Sequence, residues 1–178
     1  EPSKGRDLSS LISLSSTAAV FSPSLKDQFF DHFPNIVMTD AIGSSEGGGN
    51  GIVVVERGKT AMKGGPTVKP VQGTVVLDDE LRPVEPGSGT IGRVARTGDI
   101  PVGYYKDPVK TAEAIRPDGY CSVGDMARRD EQGFIHLVDR KSNMIISGGE
   151  NVYPSEIENI LGRYSGVKDV AVVGVPHE

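Results

Sequence analysis

The sequence predicts a mixed α/β chain with a β-rich middle, and three observations predict it. A short amphipathic helix and an apolar strand run into a glycine-rich loop near the start, turn-separated strand signals fill residues 52–138, and after Asp139-Arg140 the pattern changes to strand, turn, helix and strand. Glycine (23) and proline (12) make up about a fifth of the 178 residues, against an average usage of roughly 12%. That excess stays below the disordered range and calls for many turns and close backbone approaches.

Residues 8–20 are apolar and serine-rich. Ser22-Pro23-Ser24 then offers an N-cap with proline at the first helical position. Leu25, Phe29 and Phe33 follow at helical spacing, so a helix should end near Pro34. Asn35-Ile36-Val37-Met38-Thr39 predicts a strand that empties into a loop over residues 40–51, which holds five glycines; α/β proteins place ligands at such points.

Residues 52–55, 73–77, 90–95 and 134–138 predict strands. Asp78-Asp79-Glu80 and Asp130-Glu131-Gln132-Gly133 predict hairpin connections, and Pro117-Asp118-Gly119 a turn. Within this block only residues 108–115 read as a helix, so the middle is a β-rich subdomain rather than a parallel α/β unit. Beyond it, residues 144–146 predict a strand, Ser147-Gly148-Gly149 a turn, and Pro154-Ser155 the start of a helix with Ile157, Ile160 and Leu161 on one face. Residues 167–175 predict a final strand. One helix and two strands cannot cover both faces of a sheet, so this last element reads as unfinished.

The formal net charge is −5, without long single-sign runs, which argues against binding nucleic acid by bulk charge. Aromatic interleaving with basic residues is missing too. A single cysteine, Cys121, excludes an internal disulfide framework and a cysteine-rich metal site, and reads as a reduced side chain. With no apolar stretch of roughly 20 residues and no signal-like start, a soluble, cytoplasmic protein is expected. The length fits one domain or slightly more. The chain stops on Val175-Pro176-His177-Glu178, directly after an apolar run, and is expected to be a piece of something larger.

Three stretches could carry chemistry. In Asp40-Ala41-Ile42-Gly43-Ser44-Ser45-Glu46-Gly47-Gly48-Gly49, glycines would let backbone amides approach an anion, hydroxyls would donate to phosphate, and a carboxylate would hold Mg²⁺. The same residues also read as a plain loop with a solvated glutamate. In Gly119-Tyr120-Cys121-Ser122-Val123-Gly124-Asp125, followed by Asp139-Arg140-Lys141, an aspartate could take both hydroxyls of a ribose and an arginine could bridge ribose and phosphate; a turn former and a surface ion-pair partner are the alternatives. Ser147-Gly148-Gly149-Glu150-Asn151-Val152-Tyr153-Pro154 could be a simple strand-to-helix loop. Other chemistries fare worse. His32, His136 and His177 have no ligand spacing, Gly58-Lys59-Thr60 lacks the Walker lead-in, and a Gly-x-Ser-x-Gly elbow is expected to be absent, which leaves a hydrolase triad no nucleophile candidate of the usual form.

Taken in order, these stretches closely resemble the adenylate-forming superfamily, and within it the bacterial fatty-acyl-CoA synthetases. Ile42-Gly43-Ser44-Ser45-Glu46 is similar to the family's Tyr-Gly-x-Thr-Glu motif, and Cys121-Ser122-Val123-Gly124-Asp125 to its Tyr-Arg-Thr-Gly-Asp motif. The run from Asp139-Arg140-Lys141-Ser142-Asn143 through Ser147-Gly148-Gly149-Glu150-Asn151-Val152-Tyr153-Pro154 and on to Ser155-Glu156-Ile157-Glu158 resembles the hinge and the loop after it almost throughout. Gly103-Tyr104-Tyr105-Lys106-Asp107-Pro108 and the stretch from Val170 to Pro176 also fit, so the resemblance covers essentially the entire chain.

The resemblance implies an α/β plus β-barrel architecture. Residues 1–55 would end the large N-terminal α/β subdomain, 56–139 would form the β-barrel subdomain, and 140–178 the hinge and an incomplete C-terminal lid domain. It implies ATP, Mg²⁺ and coenzyme A as cofactors and a small carboxylic acid, a fatty acid first of all, as substrate. Ser45, Glu46 and Arg140 would be catalytic, with Glu46 on Mg²⁺ and Ser45 on phosphate. Asp40 would face the adenine amino group, with Ala41, Ile42 and Gly43 along the base. Asp125 would take the ribose hydroxyls and Arg140 ribose or phosphate. Ser147, Gly148 and Gly149 would face coenzyme A, and Ser142 would be the hinge.

Three positions depart from the pattern. Ile42 replaces an aromatic, Ser122 stands where arginine is common, and Ser142 stands where the hinge is often Asp or Lys. The family's phosphate loop and catalytic lysine are not in the sequence, so these 178 residues alone are expected not to catalyse adenylation. Peripheral membrane contact and a homo-oligomer remain open for the parent enzyme. Competing readings are an aryl-CoA ligase, a fatty-acyl-AMP ligase, a peptide-synthetase adenylation domain, or a non-catalytic β-rich module that binds nucleotide or a partner.

Overall fold

The computed structural model describes residues 5–17, 21, 23–58 and 66–175. Ser22, Lys59, Thr60 and His177 therefore lie outside the described residues. The chain opens with a β-α-β unit: β1 (Ser13–Ser16), α1 (Pro23–His32) and β2 (Val37–Ser44). β1 pairs with β2 in parallel. Every other ladder is antiparallel, through β3 (Gly48–Val55), β4 (Thr67–Pro70), β5 (Thr74–Leu77), β6 (Gly92–Arg96), β7 (Asp125–Arg129) and β8 (Ile135–Arg140). The strand order is β1-β2-β3-β4-β8-β7-β6-β5. α2 (Pro108–Ala114) lies between β6 and β7 in the chain; a 3₁₀ turn (Lys141–Asn143), β9 (Ile145–Ser147), β10 (Glu150–Val152) and α3 (Pro154–Leu161) follow β8.

The sheet is rolled. β3 and β6 stand four places apart in the strand order, yet the Arg96 guanidinium on β6 donates to the Gly49 carbonyl on β3. The roll encloses a core of Ile42, Val68, Val76, Val84, Val94, Ala127 and Ile135, which is the barrel-like part of the expected architecture. A second core, Phe30, Ile36, Met38 and Val55, lies under α1. A third, Met126, Val138 and Tyr153, ties β7 and β8 to the segment before α3.

Four local expectations change. Residues 40–51 form not a loop but the hairpin β2-β3, turning at Ser45-Glu46-Gly47. Glycine lowers strand propensity, but here it permits close backbone contact. A Cβ on Gly43 would sit 2.5 Å from the Gly48 carbonyl oxygen, and one on Gly51 would sit 2.3 Å from Val68 Cγ2. The strands β1, β4, β7 and β10 are additional; β7 reads Asp-Met-Ala-Arg-Arg, a pattern too charged to signal a strand. Residues 167–175 form no strand. A strand needs a ladder, and the Val172 amide instead donates to Glu158 Oε1 at 2.8 Å. Finally, α1 buries Lys26 and Phe30 while Leu25 stays 42% exposed, because its inner face must carry a cation for β2.

Other signals hold as expected. Asp107 caps α2 by accepting from the Lys110 amide at 2.9 Å, with proline at the first helical turn. Gly119 takes φ +85° after Pro117-Asp118, as that turn requires.

Candidate functional site

The turn between β2 and β3 presents Ser45 and Glu46. Ser44 Oγ accepts from the Gly47 amide at 2.8 Å and closes the turn locally. Ser45 is exposed and Glu46 half-buried. The Glu46 carboxylate is gripped from a distant segment: Tyr104 Oη donates to Glu46 Oε1 at 2.7 Å. The Glu46 carbonyl accepts from Cys121 Sγ at 3.5 Å. The phenol's hydrogen bond holds the Glu46 carboxyl below the usual carboxylate range, and the same bond pushes the Tyr104 phenol up to about 12. Burial raises the Cys121 thiol, so it stands there as a donor rather than a nucleophile.

Below the turn, Asp40 pairs with Lys26 of α1. Both side chains are under 10% exposed, so neither charge could be left alone without a large desolvation cost. On β2, Met38, Asp40 and Ile42 are buried while Thr39 and Ala41 are only partly covered. The Ile42 side chain belongs to the rolled core. A register shift falls between Ile42 and Gly43, where the hairpin narrows to pair Gly43 with Gly49.

Cys121 also begins the path to the second group of residues. It bridges Arg96 and Ile115, and four residues later Asp125 opens β7. Asp125 and Arg140 are register partners across the β7-β8 ladder, with Arg140 Nε 3.3 Å from Asp125 Oδ1. The Asp125 side chain is 14% exposed and that of Arg140 63%. Burial pushes the Asp125 carboxyl up against the opposing pull of Arg140. An inner carboxylate beside an outward guanidinium is a pair that can meet vicinal hydroxyls and an anionic oxygen together.

Among the described residues no cluster of three or more His, Cys, Asp or Glu could hold a metal ion. A protein-only cage is therefore not offered there. A single anchored carboxylate fits a different role: Mg²⁺ bound to a nucleotide takes one or two carboxylates and completes its shell with phosphate and water. Glu46 suits that, since a carboxylate has about four lone-pair sites and the Tyr104 phenol fills one.

No protein-family profile matches the chain. It is 51% identical, over 98% of its length, to a 3-oxocholest-4-en-26-oate–CoA ligase of Rhodococcus rhodochrous. It is 51% identical, over 96% of its length, to a medium/long-chain-fatty-acid–CoA/3-oxocholest-4-en-26-oate–CoA ligase of Mycobacterium tuberculosis. The crystal structure of an anthranilate CoA ligase in complex with anthranoyl-AMP superposes on 96% of the chain with a TM-score of 0.75 at 25% identity. The chain belongs to the adenylate-forming superfamily. It spans about a third of the length of these proteins, 32% and 31% of the two relatives and 32% of the solved chain.

The adenylate-forming chain continues from Arg140 into the 3₁₀ turn that carries Ser142, whose hydroxyl donates to Asn143 Oδ1 at 3.3 Å. Asp139 organises this junction. It accepts from the Arg140 amide at 2.7 Å, from Asn143 Nδ2 at 2.9 Å and from the Ser155 amide in α3 at 3.0 Å. Burial alone would raise the Asp139 carboxyl, but these donors outweigh it and hold it below the usual range. Ser147, Gly148 and Gly149 lie at the tip of the β9-β10 hairpin. Ser147 pairs with Glu150, and positive φ at Gly148 (+59°) and Gly149 (+86°) closes the two-residue turn. A pocket of about 310 Å³ opens away from that tip, at the junction with α3, lined by Asp139, Asn143, Ile145, Pro154, Glu158 and residues 172–174. It includes none of Asp40, Ser45, Glu46, Asp125 or Arg140.

The expected absence of a Gly-x-Ser-x-Gly pattern does not hold. Gly43-Ser44-Ser45-Glu46-Gly47 does spell Gly-x-Ser-x-Gly. Geometry decides against a nucleophile: Ser45 sits in a β-hairpin turn, not at the strand-to-helix elbow that pattern requires. Among the described histidines, His32 bonds the Gln28 carbonyl and His136 bonds Thr67 and Asp130. The sequence does not mark Tyr104, Lys26 or Arg96 as site residues, although Tyr104 lies in the Gly103-Tyr104-Tyr105-Lys106-Asp107-Pro108 stretch that resembles the family. Lys26 leaves a local signal, a charge four residues before Phe30 on an otherwise apolar helix face; Tyr104 and Arg96 find their partners only through the roll of the sheet.

Proposed function

We propose that the protein is an AMP-forming acid–thiol ligase, an acyl-CoA synthetase. In this reading a carboxylate oxygen attacks the α-phosphorus of ATP and pyrophosphate leaves; the thiol of coenzyme A then attacks the acyl carbon and AMP leaves. The observation that carries it is the 51% identity over 98% of the chain to a CoA ligase. A medium- or long-chain fatty acid is the substrate proposed, in keeping with the name of the mycobacterial relative.

Glu46 would hold Mg²⁺ on the β2-β3 turn, with Ser45 donating to phosphate. When bound, the cation offsets charge between triphosphate and attacking carboxylate. Asp40 stands nearest the adenine amino group in this reading, its pair with Lys26 holding the strand that sets Ala41, Ile42 and Gly43 along the base. Asp125 would accept from both ribose hydroxyls, and Arg140, released from it, would reach ribose or phosphate. Ser142 would be the hinge, and Ser147, Gly148 and Gly149 would face coenzyme A. No helix of the described residues is long and apolar enough to cross a membrane; ATP and coenzyme A as co-substrates favour the cytoplasm.

The test is acyl-CoA formation by the full-length protein with ATP, Mg²⁺, coenzyme A and a chain-length series of fatty acids, with the steroid acid and benzoate as further arms. Acyl-CoA and AMP should appear in equal amounts with the fatty acids. Asp125→Ala should raise KM for ATP about tenfold or more, the worth of hydrogen bonds to a charged group. Failure to form acyl-CoA from any acid would overturn the ligase reading; a KM indifferent to the substitution would overturn the ribose assignment.

A further inference from the structure

We propose that Tyr104 is a positioning residue that holds the Glu46 carboxylate in its metal-binding orientation. The assignment rests on the reading of Glu46 as the residue that takes Mg²⁺. Tyr104 lies 58 positions from Glu46 in the chain and reaches it with a 2.7 Å hydrogen bond. An unheld glutamate on a turn would sample several rotamers; a donor fixed from outside the turn selects one.

The phenol is itself fixed. Gly103 lies so close to α2 that a Cβ there would meet Thr111 Cγ2 at 2.7 Å. The Tyr104 amide donates to Thr111 Oγ1 at 2.9 Å, and Thr111 Oγ1 donates to the Asp107 carbonyl at 2.7 Å. Lys110 Nζ stands 4.3 Å from the centre of the Tyr104 ring, adding a cation–π contact on the ring face. The Gly103-Tyr104-Tyr105-Lys106-Asp107-Pro108 stretch thereby acquires a purpose beyond starting a helix: it carries a rigid donor to the turn. Cys121, donating to the Glu46 carbonyl at 3.5 Å, restrains the backbone of the same residue. Outer partners of this kind set ligand orientation, and their removal typically weakens metal binding about 10–100-fold.

The experiment is a double-mutant cycle on the full-length protein, with Tyr104→Phe, Glu46→Gln and the double variant. Each is titrated calorimetrically with Mn²⁺·ATP and, in EDTA, with ATP alone. The readout is the ratio of the two affinities, which a merely structural role would not move. Tyr104→Phe keeps the ring and its Lys110 contact, and circular dichroism checks the fold. The expected result is a ratio reduced about tenfold by Tyr104→Phe, unchanged affinity for metal-free ATP, and no further loss when Tyr104→Phe is added to Glu46→Gln. An unchanged ratio, an equal loss of both affinities, or a loss that adds to that of Glu46→Gln would overturn the positioning role alone. A ratio indifferent to Glu46→Gln would overturn the metal reading of Glu46 and this assignment with it.

Discussion

The turn that bears Glu46 and the segment after Asp139 are held in opposite ways. The turn is short, but residues from three other parts of the chain fasten it: Tyr104 on the carboxylate, Cys121 on the carbonyl and Arg96 on the Gly49 carbonyl. Beneath it lie a closed core and a buried ion pair. The segment after Asp139 contains more regular structure yet buries little of it. Ile157, Ile160 and Leu161 of α3 are 36%, 58% and 39% exposed, and α3 turns toward β8 the end that carries Ser155, captured by Asp139 and the Val138 carbonyl. Order at a candidate site thus comes from the number of independent elements that meet there, not from helix or strand content.

The largest effect expected from testing that contrast is on the Lys26-Asp40 pair. Lys26→Met strands a buried carboxylate and should cost about 3–5 kcal/mol, read as a shift in the urea midpoint. Adding Asp40→Asn should recover part of the loss, and a small loss from the single change would show the pair to be solvated.

A smaller effect should follow at the junction. Asp139→Ala removes a charged acceptor from three donors and should cost about 2 kcal/mol, confined to α3 and the 3₁₀ turn, as read by amide hydrogen exchange. The pH dependence has a definite sign. The folded carboxyl is held below its ordinary value of about 3.9, so its stabilisation is complete above that value and is lost as pH falls through the folded pKa. Exchange in α3 should therefore rise on acidification well before exchange in the rolled sheet, once corrected for the intrinsic rate. Equal responses in both regions would contradict the contrast.

The smallest effect is expected on the exposed stripe of α3. In the 178-residue chain by itself, Ile160→Ser should change stability by less than about 0.5 kcal/mol, although the periodicity of the sequence marks Ile160 as core. A loss of about 2 kcal/mol in thermal unfolding would show that the stripe is buried in solution.

Much of the candidate site was legible because its members are local. Gly43, Ser45 and Glu46 fall in one stretch, and Cys121 and Asp125 in another. Asp125 and Arg140 were legible as members of one candidate group; their direct contact needs the β7-β8 register, which the charged sequence of β7 conceals. Tyr104 could not be tied to Glu46 from the chain alone, because nothing local fixes which turn a tyrosine 58 positions away will reach. The fold was read with the same bias. α2, with its Asp107 cap and Pro108, was plain, whereas the hairpin over residues 37–55 was partly mistaken for a loop because its glycines serve close packing rather than freedom.

By itself the sequence determined the kinds and order of the chemical groups, the turns that proline and glycine impose, and the motif spacing that marks an adenylate-forming chain. Tertiary structure alone decided which groups meet: the roll that brings Arg96 under Gly49, the phenol on Glu46, and the cation buried beside Asp40. The physical reason is that caps, turns and periodicity act over a few residues. Hydrogen bonds and buried charges between distant segments exist only once the sheet has closed around its core.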